Sequence, residues 1–410
     1  MTRRVVVTGM AGLSPIGLNW DTVFESLKAQ RSAIQIMPDW KEIKGLRTHV
    51  AAPIKNFELP KHYNRKAIRS MGRVSLLATR SAELALEDAG LLGTSHVTDG
   101  RMGVAYGSGT GSPTAHHVFF ESLYAHKRLK GISSTTYLQM MSHTCVTNIG
   151  HFFKLKGRVI STCSACTSGS QGIGYAYESI KYGLQDFMIA GGAEELSVSE
   201  AVMFDVLYAT SVNNQNPKQT PAPFDKNRDG LVIGEGAATL ILEDLETARS
   251  RGAKIYAELL GYGANSDGEH LTAPAVSGMK KVMELALEDA NLPAEAIGYL
   301  NAHGTATEVG DIAESEAINK VFGDRIPISS LKGHFGHTMG ACGALETWMT
   351  LQMALENWFA PTLNLHEVDL RCAELDYLKD EGRQLEAEYV MCNNFAFGGV
   401  NTSLIFKKWN

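Results

Sequence analysis

Leu84-Ala85-Leu86-Glu87-Asp88-Ala89 returns letter for letter as Leu285-Ala286-Leu287-Glu288-Asp289-Ala290, about half a chain length further on. Each copy closes an amphipathic helix, over residues 71–91 in the first case and ending near Leu292 in the second. Six shared letters alone are within reach of coincidence. Their surroundings repeat as well. A strand over residues 4–8 runs into Gly9, with a short helix over 20–29 behind it, and Lys254 to Gly263 is likewise a strand running into glycines. After the first helix comes a strand, Gly103 to Tyr106, and then Gly107-Ser108-Gly109-Thr110-Gly111. After the second comes a strand, Ile297 to Leu300, and then Asn301-Ala302-His303-Gly304-Thr305. One element order used twice predicts two similar halves. Alternating strands and helices predict an α/β class with mixed sheets and helices outside and between them.

A second pair of stretches sits inside this repeat. Val159-Ile160-Ser161-Thr162-Cys163-Ser164-Ala165-Cys166-Thr167-Ser168-Gly169-Ser170-Gln171-Gly172 opens as a β-branched run, read as a buried strand, and breaks into small residues. A helical pattern follows through Ile173, Tyr175, Ile180 and Tyr182. Strand Ile326 to Ser329 leads through a similar corner into a helix from about Gly340 to Leu355. Cys166 therefore stands at a strand-to-helix corner. Free N–H groups and the helix dipole at such a place favour an anion, which pushes a thiol from its usual pKa of about 8.5 toward thiolate. A buried cysteine that merely packs is the competing reading, and this stretch alone leaves both open.

His303 and His337, the latter in Lys332-Gly333-His334-Phe335-Gly336-His337-Thr338, are wrapped in small residues, which suits side chains facing a cavity. In open α/β sheets ligands collect at strand C-termini, so Cys166, His303 and the His337 region can share one floor between the halves. A thiolate with two imidazoles supports covalent acyl transfer to a second reacting carbonyl. Two neutral Nε2–H groups can hold one developing oxyanion, and losing one such donor costs about 3–4 kcal/mol of transition-state stabilisation. Lys332 is placed to tune that pair. Most of the 13 histidines need no such role, and His334 is near the right place by sequence only.

With 44% hydrophobic residues over 410 positions, the chain can bury a large core and two or three domain-sized units. A net charge of -6 gives no global case for nucleic acid or membrane binding, and no apolar run reaches membrane-spanning length. Thr2 to Val7 imitates a signal peptide, but Thr8-Gly9 breaks the run. Six cysteines do not make a dense disulfide framework, so a reducing cytoplasm is the default. Cys163 and Cys166 form a C-x-x-C, yet the chain is far larger than a thioredoxin-like unit. A zinc site would need a second ligand pair at suitable spacing, and none is visible.

Four ordered motifs then carry a resemblance. They are Ala165-Cys166-Thr167-Ser168-Gly169; Phe224-Asp225 with Arg228-Asp229-Gly230 and Gly234-Glu235-Gly236-Ala237; His303-Gly304-Thr305; and Lys332 with Gly336-His337. From Val5-Val6-Val7-Thr8-Gly9 to Asn394-Phe395-Ala396-Phe397-Gly398-Gly399-Val400-Asn401, the chain resembles an elongating β-ketoacyl-acyl-carrier-protein synthase of type I/II, nearer type II. The resemblance implies a thiolase-like fold, with duplicated α/β halves in a layered αβαβα sandwich. The first half, residues 1–252, carries the nucleophile and capping insertions. The second, 253–410, carries both catalytic histidines.

It also implies roles. Cys166 takes the acyl chain, His303 and His337 steady an enolate oxygen, and Lys332 supports them. The N–H groups of Cys166 and Phe397 form a second oxyanion hole, and Phe397 gates the acyl pocket. Thr305, Thr307 and Thr272 meet the phosphopantetheine arm, and Thr110 lines the acyl pocket. Glu346 and Asn301 are structural, and a monovalent cation is expected near Asn301, Glu346 and Asn401. No free cofactor and no catalytic metal are implied, since substrates ride on the phosphopantetheine of an acyl carrier protein. The carrier is acidic, so Lys66 and Arg69 (with Arg65), and Lys127 and Arg128 (with Lys130), are candidate docking clusters. The implied assembly is a homodimer, or a heterodimer with a paralogous ketosynthase-like subunit.

The sequence departs from the family pattern in several places. Asn213 stands where a docking arginine is usual, Ala396 where the gating loop has glycine, and Cys342 where alanine is usual. The Cβ of Ala396 is expected to stiffen the loop. These changes unsettle the acyl substrate and keep a specialised pathway open, such as a polyene or aryl polyene-like system with a heterodimeric synthase. A degradative thiolase would need a second catalytic cysteine near the C-terminus, and Cys392-Asn393-Asn394 is not that motif. A non-catalytic chain-length partner would lack the nucleophile.

Overall fold

A computed structural model describes residues 2–409. Eleven strands hydrogen-bond into one mixed sheet. In chain order they are β1 (Val5–Leu13), β2 (Met102–Gly107), β3 (Val159–Thr162), β4 (Phe187–Glu194), β5 (Gly236–Asp244), β6 (Ala257–Ser266), β7 (Ile297–Asn301), β8 (Pro327–Ser329), β9 (Asp376–Tyr377), β10 (Tyr389–Ala396) and β11 (Val400–Lys408). Their spatial order is β9-β8-β7-β10-β11-β6-β1-β5-β4-β2-β3. Reading outward from the β1–β6 junction, the first half runs β1-β5-β4-β2-β3 and the second β6-β11-β10-β7-β8. The two orders are the same, and β9 is an addition at the outer edge. The halves join where Val5, Val6 and Val7 pair antiparallel with Leu259, Glu258 and Ala257.

The repeated hexapeptide has a physical explanation. It closes helices α1 (Arg73–Asp88) and α4 (Val276–Ala290). A Cβ at Gly9 would lie 2.4 Å from the Ala85 carbonyl oxygen and 2.7 Å from the Ala89 Cβ. At Gly261 it would lie 2.2 Å from the Ala286 oxygen and 2.9 Å from the Ala290 Cβ. Glycine on the strand and alanine on the helix thus allow the same close crossing in both halves. The residue after each glycine donates its N–H to the helix's aspartate, Met10 to Asp88 at 2.9 Å and Tyr262 to Asp289 at 3.1 Å. We expect Gly261→Ala to force α4 off the sheet and lower unfolding stability by about 1–3 kcal/mol, read as a shifted urea midpoint.

Two further helices, α2 (Ser168–Lys181) and α5 (Cys342–Leu355), pack on each other, and each touches strands of both halves. The two halves of the sheet lie on either side of this pair, which forms the middle layer, with α1 against the first half and α4 against the second, and the result is the expected αβαβα sandwich. Each middle helix starts from a short 3-10 turn, Ala165–Thr167 and Met339–Ala341, with φ +50° at Ala165 and at Met339. Gly340 is therefore the second half's counterpart of Cys166.

One expectation for this region fails. Val159 is 53% exposed and Ser161 is exposed too, so β3 is not a buried strand. It pairs only with β2 and is the open edge of the sheet. A β-branched run fits an edge strand as well as a central one. No helix among the described residues is long and apolar enough to cross a membrane.

Candidate active site

The turns leaving β3, β7 and β8 bring Cys166, His303 and His337 together, all buried. Their ligand-capable atoms lie within 4.8 Å of one another. His337 Nε2 is 3.0 Å from the Cys166 sulfur, and the two imidazoles stand edge to face with centroids 5.2 Å apart. Phe397, just past the end of β10, reaches the site from the second half and stacks on Phe204 at 5.1 Å.

Hydrogen-bond partners fix the histidine tautomers. His337 Nδ1 accepts the Met339 N–H at 3.1 Å, so its hydrogen is on Nε2. His303 Nδ1 faces two donors, the Lys332 ammonium at 3.3 Å and the Asn394 amide at 3.5 Å, so its hydrogen is on Nε2 as well. Burial, and then the charge of Lys332, push both imidazoles well below their ordinary pKa, with His337 adding to the effect on His303. Both are neutral N–H donors at physiological pH. The same tautomers argue against a metal on Cys166, His303 and His337, because an imidazole ligand needs a bare nitrogen facing the ion.

Lys332 is fully buried. It donates to the His303 carbonyl and, at 2.6 Å, to Glu346 Oε1. Burial works against its charge. Cys342 is kept a thiol by burial and by Glu346, so the Glu346 carboxylate holds the ammonium above its ordinary value. Glu346 Oε2 accepts from Asn394 at 3.0 Å and from the Cys342 thiol at 3.2 Å.

Cys166 corrects the thiolate expectation. Burial pushes its thiol up to about 11, against the Lys332 charge and the N–H groups of Phe397 and of Cys166 itself, which lower it. The helix-terminus effect is real, and desolvation outweighs it.

A cavity of about 440 Å³ opens on this cluster. Thr272, Thr305 and Thr307 are on its wall, and Thr305 and Thr307 share a 2.9 Å hydroxyl contact. The Thr110 hydroxyl lies against Glu194 and Glu200. The Asn401 amide donates to Asn265 at 3.0 Å and Asp267 at 2.6 Å, bracing the loop that holds Gly399. Both Glu346 oxygens have donors, and the buried Asn301 Oδ1 has no partner. Ala396 ends β10 paired with Val400 in ordinary strand geometry, so its Cβ meets no backbone strain.

Two residues beside His303 escaped the sequence reading. Glu314 accepts the N–H groups of His303 and Gly304, both at 2.7 Å, and Asp311 accepts that of Ala306 at 3.1 Å. Together they shape the His303 turn. His334 is a core histidine between the Arg31 and Pro361 carbonyls. Cys392 is buried, and burial pushes its thiol up to about 12. All six cysteines are free. Lys66, Arg69, Lys127 and Arg128 are exposed, and none is in an ion pair among the described residues. The Arg69 carbonyl accepts from Thr135 at 3.1 Å and Gln139 at 3.0 Å, which ties its helix to the segment that follows Lys127 and Arg128.

A duplicated α/β sheet with a cysteine and two neutral histidines between its halves defines a condensing enzyme of the thiolase-like class. Comparison with known proteins narrows the class. Family models for the β-ketoacyl synthase N-terminal and C-terminal domains match residues 2–248 and 256–366, and the chain belongs to the β-ketoacyl synthase family. It is 40% identical to 3-oxoacyl-[acyl-carrier-protein] synthase 1 of Haemophilus influenzae, over all of both chains. It is 36% identical to synthase 2 of Vibrio cholerae, over 99% of each. A crystal structure of a β-ketoacyl synthase from Burkholderia phymatum covers all of both chains at 55% identity and a TM-score of 0.97. These identities span both elongating types.

Proposed function

We propose that this protein is an acyltransferase, a 3-oxoacyl-[acyl-carrier-protein] synthase that extends acyl chains by decarboxylative condensation in fatty acid synthesis. The observation that carries the reading is the pair of Nε2–H imidazoles beside the Cys166 sulfur. In the first step the sulfur attacks the acyl thioester, the carrier's sulfur leaves, and the thiol proton passes to it. The N–H groups of Cys166 and Phe397 hold the tetrahedral oxyanion. In the second step a malonyl carrier loses carbon dioxide. The electron pair of the broken bond becomes an enolate, whose oxygen accepts hydrogen bonds from the Nε2–H groups of His303 and His337. Its carbon attacks the acyl-enzyme, and the 3-oxoacyl carrier departs with release of the sulfur, which regains a proton.

Thr305, Thr307 and Thr272 line the path of the phosphopantetheine arm, and no free cofactor is needed. Lys66, Arg69, Lys127 and Arg128 dock the acidic carrier. Reversing charge at Lys66 and Arg69 should raise KM for the carrier substrate and leave folding unchanged; an unchanged KM removes the docking role. The open β3 edge supports a dimer, with a second copy or with a paralogous subunit. The halves divide at 252/253, in the turn between the helix Leu245–Ser250 and β6, and the cytoplasm is the expected compartment.

The reading is tested with purified protein, an acyl carrier and a malonyl carrier. Expected are an acyl adduct on Cys166 by mass spectrometry, carbon dioxide and a 3-oxoacyl carrier. A thioester formed without a condensation product would sink it. The specialised polyene reading is separated by turnover on saturated and polyunsaturated acyl carriers, where a strict preference for saturated chains excludes it.

A further inference from the structure

Glu194 and Glu200 are fully buried, and a single hydroxyl joins them. Thr110 Oγ1 lies 3.0 Å from Glu194 Oε1 and 2.8 Å from Glu200 Oε1. A hydroxyl owns one hydrogen and donates to only one of them. The other contact needs a hydrogen from a carboxyl.

Donor counts say which carboxyl supplies it. Glu194 also receives the Ser108 hydroxyl at 2.8 Å and the N–H groups of Gly109 at 2.7 Å, Thr110 at 3.1 Å and Gly340 at 2.9 Å. Burial raises the Glu194 carboxyl and these donors work against that rise, so of the two it is the one better held as a carboxylate. Glu200 receives one N–H, from Ser197 at 3.1 Å, on its other oxygen. Among the described residues no Lys, Arg or His pairs with either glutamate. The charges facing Glu200 are Glu194, on β4, and Glu195 just after it. On its own helix, α3 (Val198–Asp205), Asp205 lies at the far end and is tied to Arg47 and Thr48. Burial, and then the Glu194 charge, push the Glu200 carboxyl well above its ordinary range.

We propose that Glu200 is a positioning residue that works as a neutral acid: its O–H donates to Thr110 Oγ1, whose own O–H donates to the Glu194 carboxylate. At one end of this chain, Glu194 holds the Gly340 turn, three residues past His337, and the Gly109 turn, which abuts Ala165. At the other end, Glu200 closes a capping box with Ser197 and starts α3, whose Phe204 stacks on Phe397. One shared proton thus fixes both turns beside Cys166 and the ring that Phe397 rests on. The proposal concerns the geometry of the site described above and stands whether or not the acyl substrate is the one proposed.

The Glu200→Gln variant separates the alternatives. Its amide still donates to Thr110 and accepts from Ser197, so it should fold and turn over near the parent rate. Thr110→Val removes the bridge and should lower kcat about tenfold, with KM for the malonyl carrier little changed. The decisive readout is stability against pH. A raised carboxyl contributes stability that is whole below the ordinary value of 4.5 and is lost as pH rises to the folded value. Glu200→Gln cannot lose that proton. Its thermal midpoint should therefore gain on the parent steadily as pH rises through this window, while other buried acids act equally in both proteins. An infrared difference spectrum between the two at neutral pH should show the C=O band of a protonated carboxyl. No such band, or a variant midpoint below the parent by a constant amount at every pH, overturns the proposal. Both readouts hold even if Thr110→Val does not fold.

Discussion

Cys166→Ala should give a folded protein with condensation reduced at least about a thousandfold, because the alternative of direct attack on the acyl carrier forfeits the bound intermediate. Folding should be nearly unaffected, since alanine keeps most of the buried volume at a site with small neighbours. The informative part is what survives. His303 and His337 take their tautomers from Lys332, Asn394 and Met339, and none of these depends on the sulfur. Malonyl decarboxylation should therefore continue without acyl transfer, measured as carbon dioxide released with no 3-oxoacyl product. His303→Ala should reverse the pattern: an acyl adduct on Cys166 with little decarboxylation, a loss of about a hundredfold or more for one oxyanion donor. If Cys166→Ala ended decarboxylation as well, the enolate site would not be the independent unit its hydrogen bonds describe.

The sequence carried the architecture because the repeat has a packing cause. Gly9 with Ala85 and Ala89, and Gly261 with Ala286 and Ala290, are paired constraints written in both partners, so the same letters had to recur. Cys166, His303 and His337 were legible for a related reason, as each sits in a small-residue turn after a strand. Glu314 and Glu194 were not. Their partners are mostly backbone N–H groups, which any residue supplies, so nothing in the letters around His303 or Gly340 marks the carboxylate that holds them. The state of the thiol was misread because a helix N-terminus is visible in sequence and desolvation is not. The exposure of Val159 was hidden similarly: strand order decides it, and the edge position of β3 follows from the whole sheet. Thr110 and Asn401 were carried over from a family pattern, and their bonding follows from local neighbours, Glu200 in one case and Asp267 in the other.

Lys332→Met should be the most destabilising single change in the site. Methionine keeps the length of the side chain and removes the only cation paired with Glu346 among the described residues, in a fully buried pair. Breaking such a pair from one side costs about 3–5 kcal/mol, because the remaining charge is left buried without its partner. The double variant Lys332→Met with Glu346→Gln should recover a good part of that loss, and the recovered part measures the coupling. Chemistry should shift as well. Burial would still hold His303 and His337 low, but the Lys332 contribution would be gone, so both imidazoles would gain protons at higher pH than in the parent. A protonated His303 is no longer the neutral donor that Lys332 enforces by facing its Nδ1. Activity lost on acidification should then be lost at a higher pH in the variant, and the acid limb of kcat should move upward. An acid limb that stays in place, together with a urea midpoint close to the parent's, would mean that Lys332 neither anchors the second half's core nor sets the charge of the two histidines.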